Sequence, residues 1–375
     1  MALSQNYNEE HLYSIALRKC TLIGDINFKK LVNQIGSAKA VWETPRNILS
    51  KIEGIGTKTL SELGSKDQLL FAEKELKFCE KNNIEILLRH LGQYPTLLDD
   101  CEDAPAILYQ KGEMGINAKS VSIVGTRHVT AYGKEFVKEF VKTLSTHKSI
   151  TVSGLALGAD TEVHEQSLIG NIPTIAVLAH GFHTLYPSKN RVLSEKILEN
   201  GGLLLSEFNS SQKPDRENFI QRNRIVAGLS EATIVVESAF GGGSMSTATF
   251  ANGYNREVYA LPGKITDKYS QGCNQLIAQN KANIISTIPD LIENLGFGNN
   301  RKEEELFPKE ELFSLSPAQQ EIVMMIQSQP NISLDDLCEL LKIPSYQLLG
   351  ILLELELMNV VHSTSSRQYK IRKLN

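Results

Sequence analysis

The sequence has no excess of positive charge: 39 Lys and Arg stand against 43 Asp and Glu, for a net charge of -4. Binding to a polyanion through the global field of the protein is therefore excluded, and any such contact must come from a local basic patch. Cysteine is sparse. Cys20, Cys79, Cys101, Cys273 and Cys338 form no C-x-x-C pair and are odd in number, which argues against a disulfide framework or a zinc site and for reduced thiols in a cytoplasm. No apolar run approaches the roughly 20 residues needed to cross a bilayer, and the amino terminus lacks a signal-peptide pattern. The expectation is a cytoplasmic protein with no membrane contact. Two nucleotide fingerprints are missing as well. Gly125 is followed by Thr-Arg-His-Val-Thr rather than by the rest of G-x-G-x-x-G, and the Gly241-Gly242-Gly243 run lacks a Lys-Ser/Thr ending. A dehydrogenase and a P-loop hydrolase are excluded on those grounds.

What is present lies mainly between Ser120 and Gly263, where one device repeats: an apolar strand, a small-residue turn, then polar or cationic residues. It reads SVSIVGTR, ITVSGLALGAD, TIAVLAHGFHTLYPSKN, LLLSEFN, FIQRNRIVAGLS, TIVVESAFGGGS and EVYALPG. Short Val/Ile/Leu runs bounded by Gly and Ser are the mark of strands buried on both faces of a parallel sheet. Between them lie helical patterns such as Tyr132–His147, where Phe136, Phe140 and Leu144 recur at i, i+4, i+8. The fold class read from this alternation is α/β, a Rossmann-like doubly wound parallel sheet over residues 71–298. Polar turns at the carboxyl ends of its strands are where such a sheet binds a ligand.

Two smaller segments flank it. Residues 1–70 read as a small helical domain, with Gly54-Ile55-Gly56 before Thr57-Lys58. That turn is either a helix-hairpin-helix loop presenting amides to a phosphate or a tight turn between packed helices. Residues 299–313 are charged and read as a linker. Residues 314–375 carry three helical patterns, the second capped by Ser333, and then a hairpin spanning Val360-Val361-His362 and Gln368–Ile371, which together make a winged helix. Its helices carry more acid than base, and Arg367, Lys370, Arg372 and Lys373 lie in the wing and tail. A protein-interaction module is favoured over a groove-reading DNA domain.

The rim turns supply the candidate site. Gly125 permits close backbone approach, Thr126 offers a hydroxyl, and Arg127 can grip a phosphate bidentately. Ser153 and Gly154 precede a helix and form a natural anion seat; Asp160 and His164 beyond them read as a cap and a packed side chain rather than a catalytic pair. Tyr186 brings an aromatic face, Lys189 a point charge and Asn190 an amide. Arg222 and Arg224 flank Asn223 and cannot both face the core, so at least one should meet solvent or ligand unless Glu217 pairs with it. Gly243 and Ser244 open another helix in the manner of a phosphate cradle. No metal or cofactor is implied.

In order and spacing, VGTR, SGLALGAD with His164, YPSKN, LLLSE, FIQRNRIVAGLS, GGGSMSTAT, REVYALPG and GCNQLIAQNKA resemble the DprA family (DNA processing protein A, also called Smf). The likeness covers about 190 residues of the central domain through several independent motifs, and the flanking modules fit the family's plan. Ala159 stands where the family usually has isoleucine. The resemblance implies an extended Rossmann-like domain that binds single-stranded DNA without catalysis, dimerises, and helps load a RecA-type recombinase during natural transformation. The phosphate-contacting positions it implies are Thr126, Arg127, Ser153, Gly154, Lys189, Asn190, Arg222, Arg224, Gly243 and Ser244. The rival class is a nucleotide-phosphate-cleaving hydrolase akin to the cytokinin-activating LOG proteins. Their motif places a catalytic glutamate one turn into the helix after the glycines, whereas here no acid occurs between Glu237 and Glu257.

Overall fold

A computed structural model describes residues 7–114, 118–297, 315–329, 332–358, 360–363 and 368–371. The chain divides into two compact units, Met1–Phe297 and Gly298–Asn375.

The first unit is built on nine strands: β1 (Ile84–Leu88), β2 (Ile107–Lys111), β3 (Lys119–Val124), β4 (Ser149–Ser153), β5 (Thr174–Val177), β6 (Leu203–Ser206), β7 (Ala232–Val235), β8 (Glu257–Ala260) and β9 (Asn283–Ile284). Their order in the sheet is β1-β2-β6-β5-β4-β3-β7-β8-β9. From β6 to β9 every pairing is parallel, and the two outer strands β2 and β1 add antiparallel. Strands β4 to β7 are buried at every position, as the unbroken apolar runs in the sequence require. On one face Val121 and Ile123 pack with Phe136, Phe140 and Val163 of the helices Ala131–Leu144 and Ala159–Ile169. On the other, Val124 and Val152 pack with Ile225 and Ala248 of the helices Arg216–Gly228 and Gly243–Gly253. The α/β doubly wound architecture expected from the alternating pattern is thus present.

The direction of winding reverses at β3, which has β4 on one side and β7 on the other. An open α/β sheet leaves a crevice at that point, outside the carboxyl ends of the strands.

The helical segment at the amino terminus shares its core with this sheet. Leu17, Leu31 and Val41 pack in one cluster with Ile84, Ile86 and Tyr109 of β1 and β2. The boundary expected at residue 70 falls inside the helix Lys66–Lys81. Residues 51–64, which hold the Gly54-Ile55-Gly56 turn, contain turns and no α-helix, and Ile55 is buried.

In the second unit the helices Pro317–Ser328, Leu334–Leu341 and Ser345–Leu357 surround a small sheet of order β10 (Ile332–Ser333), β12 (Gln368–Ile371), β11 (Val361–Ser363). Ser316 and Gln319 form a reciprocal capping box on the first helix, and the Ser333 hydroxyl accepts from Asp336 N on the second. The winged-helix arrangement is as the pattern predicted. The linker expected over residues 299–313, and Arg367, Arg372 and Lys373, lie outside the described residues. Among the described residues no helix is long and apolar enough to cross a membrane.

Candidate nucleic-acid interface

The carboxyl ends of β3, β4 and β7 converge on a cleft of about 900 Å³. Two glycines bring its walls together. A Cβ on Gly125 would meet the Ala159 Cβ at 2.7 Å, and Gly158, at φ +84°, sits 2.4 Å from the Thr126 carbonyl by the same construction. The 125–127 turn can therefore lie against the start of the next helix, where Ala159 N donates to Thr126 O at 3.0 Å. Thr126 N in turn donates to Glu237 O at the end of β7, 2.7 Å away.

Arg127 projects from this turn into solvent. Its guanidinium carbon lies 5.1 Å from the centroid of the Phe219 ring, and Phe219 meets Tyr186 edge-on at 5.9 Å and 67°. An exposed cation beside an aromatic ring is a pairing able to hold a phosphate and stack a base. Across the cleft His128 stacks on Tyr269 at 5.8 Å, and Lys268 Nζ lies 5.7 Å from the Tyr269 centroid. The far wall is the amino end of the helix Gly243–Gly253, which has no side-chain cap. Asn223 Nδ2 fixes that end by donating to Gly243 O at 3.2 Å and Ser246 Oγ at 2.9 Å. Ser244 is turned inward, its hydroxyl donating to Ser238 Oγ.

Arg222 lines the cleft but is only 4% exposed. Its Nη1 donates to the carbonyls of Gly154 (2.6 Å) and Val177, clamping the ends of β4 and β5. Burial pushes its guanidinium down to about 10, against the pull of Asp160. Gly154 is glycine for the same reason, since a Cβ there would strike the guanidinium at 2.5 Å.

The anion seat expected before the helix Ala159–Ile169 is filled by the protein itself. Asp160 Oδ2 accepts from Ala156 N at 3.2 Å. Burial raises the Asp160 carboxyl while Arg222 and the surrounding donors pull it down. His164 bonds Thr174 Oγ1 at 2.8 Å, and complete burial lowers it to about 3, so it is a neutral packed imidazole.

Of the residues expected from sequence, Gly125, Thr126, Arg127, Gly154, Tyr186, Arg222, Asn223, Gly243 and Ser244 line the cleft. Four stand elsewhere, each for a physical reason. Ser153 is fully buried, its hydroxyl donating to Ile123 O. Asn190 spends its amide on Leu155 O (2.9 Å) and Thr161 Oγ1 (2.9 Å), holding Leu155 in the left-handed region at φ 57°. Lys189 is exposed in the short Ser188–Asn190 turn, off the lining. Arg224 faces away from the cleft and pairs with Glu207 at 2.5 Å and Asp25 at 3.3 Å. Against the cost of burial, those two carboxylates hold its guanidinium above the ordinary value.

The lining also holds cationic and aromatic residues that the sequence reading did not place in the site, among them His128, Arg216, Phe219, Lys268 and Tyr269. Lys268 and Tyr269 lie in the loop after β8, eight and nine residues past its end, so the rule that strand carboxyl ends carry the site points to their loop.

Fold and rim together define a Rossmann-like protein with a cleft at the switch point of its sheet. Residues 85–296 match the family model of DNA recombination-mediator protein A, and residues 308–365 match that of the DprA winged helix domain; the chain belongs to the DprA family. It is 33% identical over 294 residues to protein Smf of Synechocystis, spanning 77% of this chain and 73% of that one. It is 40% identical over 205 residues to the DNA processing protein DprA of Bacillus subtilis, spanning 54% and 68%. Among solved structures, DprA from Streptococcus pneumoniae superposes with a TM-score of 0.62 at 27% identity, over 77% of this chain and 98% of that one. DNA processing protein A from Helicobacter pylori, described for its single-stranded DNA binding mode, gives 0.52 at 30% identity, over 57% and 96%.

Proposed function

We propose that this chain binds single-stranded DNA in the switch-point cleft and acts without catalysis as a recombination mediator. The observation that carries the reading is the exposed Arg127 guanidinium set against the Phe219 ring, which Tyr186 in turn meets edge-on. Such a group grips a phosphate and stacks a base of any identity, which is what sequence-tolerant strand binding needs. Arg216 and Lys268 add positive charge to the lining, and the open amino end of the helix Gly243–Gly253 adds backbone donors. The relative from Helicobacter pylori, described for its single-stranded DNA binding, supports the same assignment. On this reading the chain is a cytoplasmic homodimer that passes the bound strand to a RecA-type recombinase. Arg222, Asn190 and Ser153 act by shaping the turns that the strand touches, and Arg224 takes no part in the contact.

The test is fluorescence anisotropy of a labelled poly-dT oligonucleotide titrated with the protein across a salt series. Binding should weaken steeply with salt and fall by about 1–3 kcal/mol in Arg127→Ala with the fold intact. Absence of binding at low salt would overturn the reading and direct attention to nucleoside monophosphate hydrolysis.

A further inference from the structure

The last helix of the winged unit, Ser345–Leu357, is apolar on two opposite sides. Leu348, Leu352 and Leu355 are buried in the core of that unit. On the other side Tyr346, Leu349, Leu353 and Leu357 are exposed at 73%, 45%, 57% and 76%. Their spacing of three, four and four residues puts all of them on one stripe, since a helix turns once in 3.6 residues. The stripe runs about 16 Å, or three turns. Gly350 lies within it, and a Cβ there would meet nothing within 4 Å. Glycine weakens an exposed helix by roughly 1 kcal/mol. Here it leaves a notch between Tyr346 and Leu353 into which a facing side chain fits.

The charged side chains of this helix, Glu354 and Glu356, have one sign. At 100° per residue Glu354 and Glu356 fall on opposite sides of the stripe's centre, about 95° and 65° away. Elsewhere among the described residues of this unit Glu321, Asp335, Asp336 and Glu339 stand against Lys342 and Lys370 alone. In a helix-turn-helix arrangement this helix would enter the major groove and present donors to bases and phosphates. Leucines flanked by carboxylates do the reverse. Self-pairing of two such helices is also disfavoured, because it would bring acidic flanks against acidic flanks.

We propose that this face is a docking site for an amphipathic partner helix of at least three turns, with an apolar stripe flanked by Lys or Arg. The partner's apolar side chains pack on Tyr346, Leu349, Leu353 and Leu357, and its basic flanks meet Glu354 and Glu356. Recognition of this kind reads anchors at i, i+3/i+4 and i+7, while the charges fix orientation and partner choice. The inference is independent of the DNA cleft.

The test uses the full-length chain and two labelled synthetic 18-residue helical peptides. One carries a leucine stripe with lysine flanks, and the other the same stripe with glutamate flanks. Binding to the lysine-flanked peptide should be at least tenfold tighter. Leu353→Asp should weaken it at least tenfold, and Glu354→Lys/Glu356→Lys should reverse the preference. Poly-dT binding measured in parallel should be unchanged in both variants, and far-UV circular dichroism should confirm that they fold. Equal affinity for the two peptides, or full binding by Leu353→Asp, would overturn the proposal. Self-association of the parent that Leu353→Asp abolishes would also overturn it, by assigning the stripe to a second copy. Duplex binding lost on Leu353→Asp would overturn it in favour of DNA.

Discussion

Arg127 and Phe219 come from different elements of the cleft, one from the turn after β3 and the other from the helix Arg216–Gly228, and meet at 5.1 Å. Neither position is informative alone. The sheet topology joins them by ending β3 at the point where the strand order reverses. If both contact the strand, Arg127→Ala should cost about 1–3 kcal/mol of poly-dT binding and reduce the salt slope by about one. Phe219→Ala should cost about 1–3 kcal/mol with the salt slope unchanged, because stacking releases no counterion. The double variant should lose less than the sum, by about 0.5–1 kcal/mol, the size of an exposed cation–π contact. Additive losses would show that the two groups act separately.

Arg222 lies next to the same ring, with its guanidinium carbon 5.8 Å from the Phe219 centroid, yet its part is different. Its Nη1 bonds Gly154 O and Val177 O in a buried setting. Removing it strands those carbonyls and leaves the buried Asp160 without its compensating charge. Arg222→Ala should destabilise the first unit by about 3–5 kcal/mol, read as a lower urea midpoint. Arg127→Ala, at an exposed position, should shift that midpoint little. Equal midpoints for the two variants would contradict the division of roles.

Arg224 shows where sequence reasoning stops. Two arginines around an asparagine announce that the helix carries function, and the period of 3.6 says that they face different ways. The identity of each face depends on Asp25, 199 residues away in sequence, and on Glu207. Ser153 and Asn190 are similar: small and polar residues at strand ends fit a phosphate seat and an internal hydrogen bond equally well. The alternating strands and helices, the glycine turns and Arg127 were legible because each rests on local pattern. The His128–Tyr269 and Arg127–Phe219 pairings were not, because they join segments more than 90 residues apart.

The Arg224 pair carries its own test. Glu207→Gln leaves the buried arginine short of a carboxylate and should lower stability by several kcal/mol. The double variant Glu207→Leu/Arg224→Met should recover part of that loss, since an apolar pair removes both desolvation costs. Poly-dT affinity of the folded double variant should equal that of the parent. A large loss of affinity with stability restored would return Arg224 to the DNA contact.

His164 makes stability depend on pH. Its ordinary pKa of about 6.5 applies to the unfolded chain, while burial holds the folded value near 3. Between those values the unfolded state takes up the proton and the folded state does not. The contribution is therefore fully present above pH 6.5 and is lost as pH falls toward 3. Its slope is about 1.4 kcal/mol per pH unit. Asp160 and Glu207 have raised folded values and act in the opposite sense, so the parent alone does not isolate the histidine. Urea unfolding of the parent and of His164→Gln at pH 7.0, 6.0 and 5.0 does: the stability difference between them should shrink by about that slope per unit below pH 6. A constant difference would mean that the imidazole takes up its proton as readily in the folded protein as in the unfolded chain.

Two glycines of the cleft separate architecture from ligand contact. Gly125 has no room for a methyl group, with the Ala159 Cβ at 2.7 Å and Glu237 O at 3.2 Å from the position it would take. Gly125→Ala should therefore push the β3 turn off the neighbouring helix and lower both stability and poly-dT affinity. Gly243 opens the helix Gly243–Gly253, and a methyl group there meets nothing within 4 Å. Gly243→Ala should leave the melting temperature unchanged or raise it, because alanine restricts the unfolded chain by about 0.4–1 kcal/mol. If a phosphate rests on the amides at that helix end, the added methyl stands in its path, and affinity should fall with the fold intact. Unchanged affinity would remove the Gly243 end of the cleft from the strand's path and leave Arg127, Phe219 and Lys268 to define it.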